Sequence, residues 1–220
     1  MKNNTTELVF ILDRSGSMCG LEDDTIGGFN SMLKKQKAES EDINVTTVLF
    51  DDQIDFIHDR FPISIVEPLT DKDYYVRGCT ALLDAVGETV HKIDNVQEHL
   101  PKDYKAGKVI FVITTDGHEN SSKRYSYPEI KTMIEAKKEN GWEFLFLGAN
   151  IDAVGEAEKL GIGSNRSVNY WNDHDGVALN FEVVGNVLSR AVVCEEDELM
   201  FSDDWADEIN EYYKKGKKKN

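Results

Sequence analysis

The chain has 220 residues, of which 40% are hydrophobic and 30% are charged. This length and composition favour a globular protein with one sizeable buried core. The 41 acidic residues outnumber the 25 basic residues and give a formal net charge of −16. Such a charge repels the phosphates of nucleic acids, which argues against general binding of DNA or RNA.

The N-terminal segment and the cysteines indicate a protein of the reducing cytoplasm. The first seven residues lead directly into an apolar run of five, which is too short for a secretory leader. No stretch approaches a membrane span, so we expect no membrane partner. Cys19, Cys79 and Cys194 are widely spaced and form no CxxC pair, which argues against a disulfide framework or a zinc site.

The first predicted element is a strand over residues 8–12, where five apolar residues follow one another. Such a run predicts a strand buried on both faces, and open α/β sheets bind ligands just beyond the carboxyl ends of such strands. An acid and two serines follow at alternate positions, namely Asp13, Ser15 and Ser17. Oxygen donors suit Mg²⁺, Mn²⁺ or Ca²⁺. The alternative is that these residues only cap a helix.

The rest of the chain alternates between helix and strand patterns. Asp23 or Asp24 is predicted to cap a helix that runs to about residue 37, and residues 43–56 form a hairpin with an edge strand. The later predicted elements are a helix from Thr80, a strand over 109–113, a helix from the capping box 126–129, a strand over 142–147, a short helix over 152–160, a short strand over 167–170 and a long helix over 173–193. This alternation predicts a doubly wound, Rossmann-like α/β fold: a mostly parallel sheet with one antiparallel edge strand and helices on both faces.

Two further polar junctions accompany the first strand. Thr80 stands at the start of a predicted helix, and Asp116 follows the strand over 109–113. The carboxyl ends of central parallel strands share one edge of the sheet, so we expect both residues to join Asp13, Ser15 and Ser17 there. Two carboxylates and three hydroxyls, completed by water, suit an octahedral divalent ion. The two acids neutralise the ion, which can still accept a carboxylate from a partner.

Three segments of this constellation resemble the von Willebrand factor A family. Residues 13–17 match its DxSxS motif, residues 78–85 resemble the segment that supplies a threonine, and residues 114–117 resemble the segment that supplies a distal aspartate. The resemblance covers roughly residues 7–193 and is to the minimal, stand-alone intracellular form of bacterial or phage type. It departs from the family pattern at Cys79, where a glycine is usual.

The resemblance predicts a domain over 1–193 and leaves 194–220 as an acidic extension that ends in a lysine-rich tail. It also implies a metal-ion-dependent adhesion site. Ser15 and Ser17 would bind the metal directly, and Asp13, Thr80 and Asp116 would bind it directly or through water. Mg²⁺ is the expected ion, with Mn²⁺ or Ca²⁺ as alternatives, and an acidic residue of a partner protein would complete its shell.

The leading hypothesis is therefore a metal-dependent protein-interaction module without catalytic activity. The first alternative is a Mg²⁺-dependent phosphoryl-transfer or hydrolytic enzyme. Aspartyl-phosphate enzymes of the haloacid-dehalogenase type need an acid where Ser15 stands, and neither a GxSxG elbow nor a GxxxxGK[ST] loop occurs. The second alternative is a scaffold with an unused metal site.

Several residues near the predicted site have two interpretations each. Arg14 is either a charge at the rim of the site or an ordinary exposed residue. Asp84 either accepts a hydrogen bond close to the metal ligands or favours the dipole of its helix. His118 and Glu119 either lie close to the metal ligands, contact a partner or are exposed loop residues. Asn120 is expected to fix the loop through a backbone hydrogen bond.

Overall fold

The structure is a computed structural model that describes residues 4–194 and 201–217. The strands are β1 (Thr6–Asp13), β2 (Ile43–Phe50), β3 (Ile54–Pro62), β4 (Lys108–Thr115), β5 (Glu143–Gly148) and β6 (Ser167–Asn169). The α-helices are α1 (Glu22–Glu39), α2 (Leu82–His99), α3 (Tyr127–Glu139), α4 (Ala153–Lys159), α5 (His174–Val193) and α6 (Asp207–Lys217).

The six strands form one sheet in the order β3-β2-β1-β4-β5-β6. All neighbouring pairs are parallel except β2 and β3, which are antiparallel. The predicted α/β fold with one antiparallel edge strand is thereby confirmed. The chain leaves β1 towards β2 on one side and later returns to β4 on the other, so the strand order reverses at β1. Ligands of open α/β sheets bind at such a switch point, and Asp13 ends β1.

The core has two layers because successive side chains of a strand point to opposite faces of the sheet. Phe10 of β1 contacts Phe29 of α1 edge to face at 5.3 Å, in the layer that α1, α5 and α6 cover. Val9 and Ile11 face the layer that α2, α3 and α4 cover, where Phe111 also lies. Strand β1 is buried on both faces, as its uninterrupted apolar run predicts.

The helix ends agree only in part with the sequence predictions. The capping box of Ser126 and Glu129 is present at the start of α3, and Asp152 and Asp173 cap α4 and α5. The predicted cap of α1 by Asp23 or Asp24 is wrong, because the helix already begins at Glu22 and no side chain caps it. The three acids fall in its first turn, where the helix dipole favours negative charge.

Helix α5 is the one helix, within the described residues, that is long and apolar enough to cross a membrane. The expectation that no segment approaches a membrane span was therefore too strict. More than half of the apolar window is buried inside the protein, and α5 lies in the core layer beside α1. The absence of a membrane partner stays a prediction.

The described part of the C-terminal extension packs onto the domain. Trp205 and Ile209 are buried in the same core layer as α5. The acidic stretch 195–200 and the lysines at 218 and 219 lie outside the described residues. The boundary predicted after residue 193 stays a prediction, but residues 201–217 include a helix, α6, that packs on the domain through Ile209.

Glu7 is a buried carboxylate at the amino end of β1, at the sheet edge opposite Asp13. Its Oε2 accepts a hydrogen bond from Arg60 Nε at 2.9 Å, and its Oε1 has no hydrogen-bond partner among the described residues. Burial raises the pKa of Glu7 from 4.5 to about 6, although Arg60 acts in the opposite direction.

Because the folded protein holds this proton more tightly than the unfolded chain, stability decreases as the pH rises from about 4.5 to about 6. We expect Glu7→Gln to raise the free energy of unfolding by up to about 2 kcal/mol at pH 7.5 and to leave it nearly unchanged at pH 4. Urea denaturation at both pH values measures this difference. A gain that is equal at both values would contradict it.

Candidate metal centre

Three loops meet at the carboxyl edge of the sheet, beside the end of β1. The loop that follows Asp13 is joined to the segment before α2, since Gly16 N donates to Gly78 O at 3.3 Å. That segment is joined to the loop after β4, since Asn120 N donates to Thr80 O at 3.0 Å. The structure thus brings the segments of all five predicted metal ligands to one place.

Hydrogen bonds connect four of these residues. Asp13 Oδ1 accepts a bond from Ser15 N at 2.7 Å. The hydroxyls of Ser15 and Ser17 lie 3.1 Å apart, and Ser17 Oγ donates to Asp116 Oδ1 at 2.5 Å. The side chain of Asp13 also accepts a bond from Thr115 Oγ1 at 2.6 Å. A continuous polar network therefore runs from the end of β1 to the end of β4.

Gly117 places the hydroxyl of Thr80 in the same cluster. A Cβ atom on Gly117 would lie 3.2 Å from Thr80 Oγ1 and 3.3 Å from Ser17 Oγ. Both hydroxyls therefore border one small space, which the absence of a side chain at residue 117 leaves open. Hydroxyl oxygens around such a space suit a small, hard cation.

The two acids of the cluster are buried without a counter-charge. Asp13 and Asp116 are each 2% exposed, and neither pairs with a lysine, arginine or histidine among the described residues. Burial raises the pKa of Asp13 to about 6, and it raises the pKa of Asp116 against the hydrogen bonds from Ser17 and Asn172. A divalent cation would supply the missing positive charge, so the donor set fits Mg²⁺, Mn²⁺ or Ca²⁺.

Histidine, cysteine and carboxylate side chains alone do not form a metal site here. Within the ranges that the structure describes, no group of three or more of them is placed to hold an ion. Two carboxylates and three hydroxyls make up the candidate site instead. This set favours hard ions, since it contains neither a thiolate nor an imidazole.

Arg14, which follows Asp13 in the chain, is buried and is not the exposed residue that one interpretation predicted. It is 1% exposed, and its Nε donates to Asp51 Oδ2 at 3.0 Å. The guanidinium also pairs with Asp55, and Arg77 binds the same two aspartates at 2.5 and 3.1 Å. Arg14 and Arg77 each pair with both aspartates. These ion pairs connect the loop after β1 with the β2–β3 hairpin and with the segment before α2.

Residues that follow Asp116 hold the loops together. Asn120 Oδ1 accepts a bond from Thr80 N at 2.9 Å, in agreement with its predicted role. Glu119 accepts bonds from the backbone N–H groups of Leu83, Ser121 and Ser122, so it is a loop-fixing residue, whereas His118 is exposed.

Asp84 lies in the first turn of α2, where the helix dipole favours a negative charge, as one of its two interpretations predicts. Its carboxylate accepts hydrogen bonds from the backbone N–H groups of residues 123–125, at 2.9 to 3.0 Å. It therefore fixes the loop that leads into α3. None of these three hydrogen bonds comes from a predicted metal ligand.

Sequence reasoning missed three residues that contact the site. Tyr74 is fully buried and its hydroxyl donates to Asp13 O at 2.6 Å. Thr115 bonds Asp13, as described above, and Asn172 Nδ2 donates to Asp116 Oδ2 at 3.1 Å. Asn172 follows β6, so the sheet-edge argument that selected Asp116 would also have selected it. No sequence pattern marks Tyr74.

Comparison with known proteins supplies structural matches only. No protein-family model and no curated protein sequence matches the chain. The vWF domain of the type V pili tip protein Mfa5 from Porphyromonas gingivalis superposes with a TM-score of 0.60 at 11% identity, over 87% of this chain and 97% of that one. The chain has a von Willebrand factor A-like fold.

Longer proteins contain the same fold. Proximal thread matrix protein 1 from the mussel byssus, with a zinc-occupied MIDAS motif, gives a TM-score of 0.56 at 14% identity, over 86% of this chain and 47% of that chain. The pilus adhesin SpaC from Lactobacillus rhamnosus GG gives 0.64 at 10% identity, over 84% and 31%. The von Willebrand factor A-like chain thus spans about half the length of the mussel protein and a third of the adhesin.

Gly117→Ala tests the space between the hydroxyls of Thr80 and Ser17. The added Cβ occupies this space, so we expect Mg²⁺ binding to weaken by about tenfold or more, as when groups around a metal are displaced. Calorimetric titration measures the affinity, and Gly27→Ala in α1, where no atom lies within 4 Å of the added Cβ, serves as the control. Equal affinities of Gly117→Ala and the wild type would contradict the placement of the ion beside residue 117.

Proposed function

We propose that this chain is a metal-dependent protein-binding module. In this proposal Asp13, Ser15, Ser17, Thr80 and Asp116 hold a divalent cation, Mg²⁺ first and Mn²⁺ or Ca²⁺ as alternatives. The observation that carries the proposal is the pair of buried, uncompensated carboxylates beside three hydroxyls at the switch point of the sheet. A bound ion supplies a Lewis-acidic position that accepts one carboxylate oxygen from a partner protein.

The residues of the chain prepare that position. The backbone N–H of Ser15 and the hydroxyl of Thr115 orient the carboxylate of Asp13. Asn120 fixes both backbone groups of Thr80, the N–H and the carbonyl, and so sets the place of the threonine hydroxyl. Such outer contacts restrict the ligands to one arrangement and thereby favour binding of the ion.

A binding role is proposed over phosphoryl transfer because of the surroundings of Asp13. Both of its carboxylate oxygens already accept hydrogen bonds, from Ser15 N and Thr115 Oγ1, which leaves it poorly placed as a nucleophile. Phosphoryl transfer also depends on cationic side chains that stabilise the transferred group. No lysine or arginine of the described chain bonds to Asp13 or Asp116. We therefore propose that the chain is not an enzyme.

The chemistry of the partner follows from the site. An aspartate or glutamate at the partner surface is the expected group, whereas the net charge of −16 disfavours nucleic acid. The names of Mfa5 and SpaC identify a pili tip protein and a pilus adhesin, which supports a role in protein binding. The two exposed free thiols, Cys19 and Cys79, support the further proposal of a cytoplasmic protein. We also propose that it has no membrane partner.

Acetate provides the simplest carboxylate with which to test this function. Acetate added to the Mg²⁺-loaded, isotope-labelled protein is expected to shift the amide resonances of Ser17 and Gly117. The same titration after chelation of the metal, or with Asp116→Ala, is expected to leave them unchanged. Shifts that are equal with and without Mg²⁺ would contradict capture of a carboxylate by the ion.

A further inference from the structure

The segment after β6 reaches the candidate metal centre, and the C-terminal helix holds that segment. We propose that Asn172 is a positioning residue for Asp116 and that helix α6 braces Asn172 through its two neighbours. The inference rests on the proposed function, and it assigns to the C-terminal extension a part in metal binding that the DxSxS signature does not include.

The contact of Asn172 with Asp116 is the first part of the argument. The two oxygens of Asp116 are held by different loops, since Oδ1 accepts from Ser17 Oγ at 2.5 Å and Oδ2 accepts from Asn172 Nδ2 at 3.1 Å. The carboxylate is buried, so water cannot freely replace either donor. Asn172 is therefore one of two groups that fix the rotation of this carboxylate.

The amide of Asn172 forms a hydrogen bond through its nitrogen only. Its Oδ1 is buried without a hydrogen-bond partner among the described residues, while its Nδ2 points at Asp116. An amide that leaves its oxygen unpaired in the interior loses hydrogen-bond energy. Contacts of its neighbours in the chain must then hold it in place.

Both neighbours of Asn172 contact α6. The ring of Trp171 lies 5.8 Å from the ring of Tyr213, and a Cβ on Gly216 would lie 2.9 Å from Trp171, so the indole packs directly on the helix backbone. On the other side, the hydroxyl of Tyr212 lies 3.2 and 3.1 Å from the two oxygens of Asp173. Three consecutive residues thus connect α6 with Asp116.

Helix α6 and the segment 171–173 are each attached to the rest of the domain. Helix α6 is fixed on the domain by buried Ile209, and just before the helix Trp205 Nε1 donates to Asn165 O at 2.9 Å. Asp173 also caps α5, since its Oδ1 accepts from Gly176 N at 2.8 Å. Loss of the Tyr212 hydroxyl would therefore loosen a segment whose other attachments remain in place.

Metal affinity in the full chain tests the proposal. Residues in the second coordination layer change metal affinity by about 10- to 100-fold, so we expect Asn172→Ala to weaken Mg²⁺ binding by about tenfold. Tyr212→Phe removes the hydrogen bond to Asp173, the residue after Asn172. We expect it to weaken Mg²⁺ binding by about threefold. Asn140→Ala and Tyr104→Phe change exposed residues near the opposite edge of the sheet, and we expect wild-type affinity for both.

The double variant separates positioning from a general loss of stability. If α6 acts through Asn172, Tyr212→Phe has no further effect on Mg²⁺ affinity once Asn172 is alanine. Effects that multiply would overturn the proposed route, and wild-type affinity of Asn172→Ala would overturn the positioning role. Thermal unfolding of the metal-free variants shows whether each one keeps its fold.

Hydrogen exchange without metal distinguishes failure of this inference from failure of the proposed function. We expect Asn172→Ala to raise amide exchange in residues 115–120 of the metal-free protein, because Asp116 then loses one of its two donors. If the wild type bound no Mg²⁺ but this exchange still rose, the metal-binding function would fail and the positioning of Asp116 would stand. Unchanged exchange would overturn the positioning role itself.

Discussion

Alanine in place of Asp13 is expected to abolish Mg²⁺ binding while the fold is retained. The carboxylate supplies one of the two negative charges of the candidate site, and a hydroxyl-rich site with one remaining acid cannot neutralise a divalent ion. The fold depends little on this group, because burial already disfavours its charged form and raises its pKa to about 6. Addition of Mg²⁺ should therefore raise the melting temperature of the wild type but not that of the variant.

Asp103→Ala is the matched control for this experiment. Asp103 is an exposed aspartate shortly before β4, at the opposite edge of the sheet. We expect its melting temperature to rise with Mg²⁺ as much as that of the wild type. A metal-induced rise that persisted in Asp13→Ala would remove Asp13 from the site.

Among these substitutions, Arg14→Ala is expected to cause the largest loss in free energy of unfolding. The guanidinium is buried between Asp51 and Asp55, and loss of one partner leaves the carboxylate of buried Asp51 with Arg77 alone. Burial tends to raise the pKa of Asp51, yet bonds from Arg77 and Gln53 and the charge of Arg14 lower it overall, so the group is ionised. Breaking a buried pair of this kind costs about 3–5 kcal/mol in free energy of unfolding.

An exposed arginine shows how much of this loss is due to burial. Arg124 forms ion pairs with Asp84 and Glu88 but is more than half exposed. Because solvent screens such pairs, Arg124→Ala is expected to cost less than about 1 kcal/mol. Urea denaturation of both variants provides the comparison, and equal losses would contradict a structural role for the buried network.

Much of the fold was predictable because its signals are local. The unbroken apolar runs of β1 and β4 and the capping box at Ser126 depend only on neighbouring residues, and the structure contains all of them. Predicting that Asp13 and Asp116 lie close together required one rule beyond the local pattern. Parallel strands on either side of a switch point end at the same edge of the sheet.

The features that were missed depend on distant contacts. Both interpretations of Arg14 from the sequence placed it at the surface. In the structure it is buried against Asp51 and Asp55, which lie 37 and 41 positions further along the chain. The contact of Tyr74 with Asp13 depends in the same way on how an irregular segment folds back over β1. No periodicity carries information of this kind.

The missed cap of α1 has a different cause. Asp23 and Asp24 are favoured both as caps and within the first turn of a helix. Helix α1 begins one residue before Asp23, after Leu21, whose N–H donates to Met18 O at 3.1 Å and so joins the helix start to the short turn at residues 16–18. Sequence patterns locate a helix well but locate its first residue poorly.

Calorimetric titration of Mg²⁺ into the metal-free wild-type chain tests the central claim most directly. The arrangement of Asp13, Ser15, Ser17, Thr80 and Asp116 predicts saturable binding of one ion per chain. Binding should disappear in Asp13→Ala and remain in Asp103→Ala. If the folded wild type bound neither Mg²⁺ nor Mn²⁺, the cluster would not be a metal centre and only the von Willebrand factor A-like fold would remain.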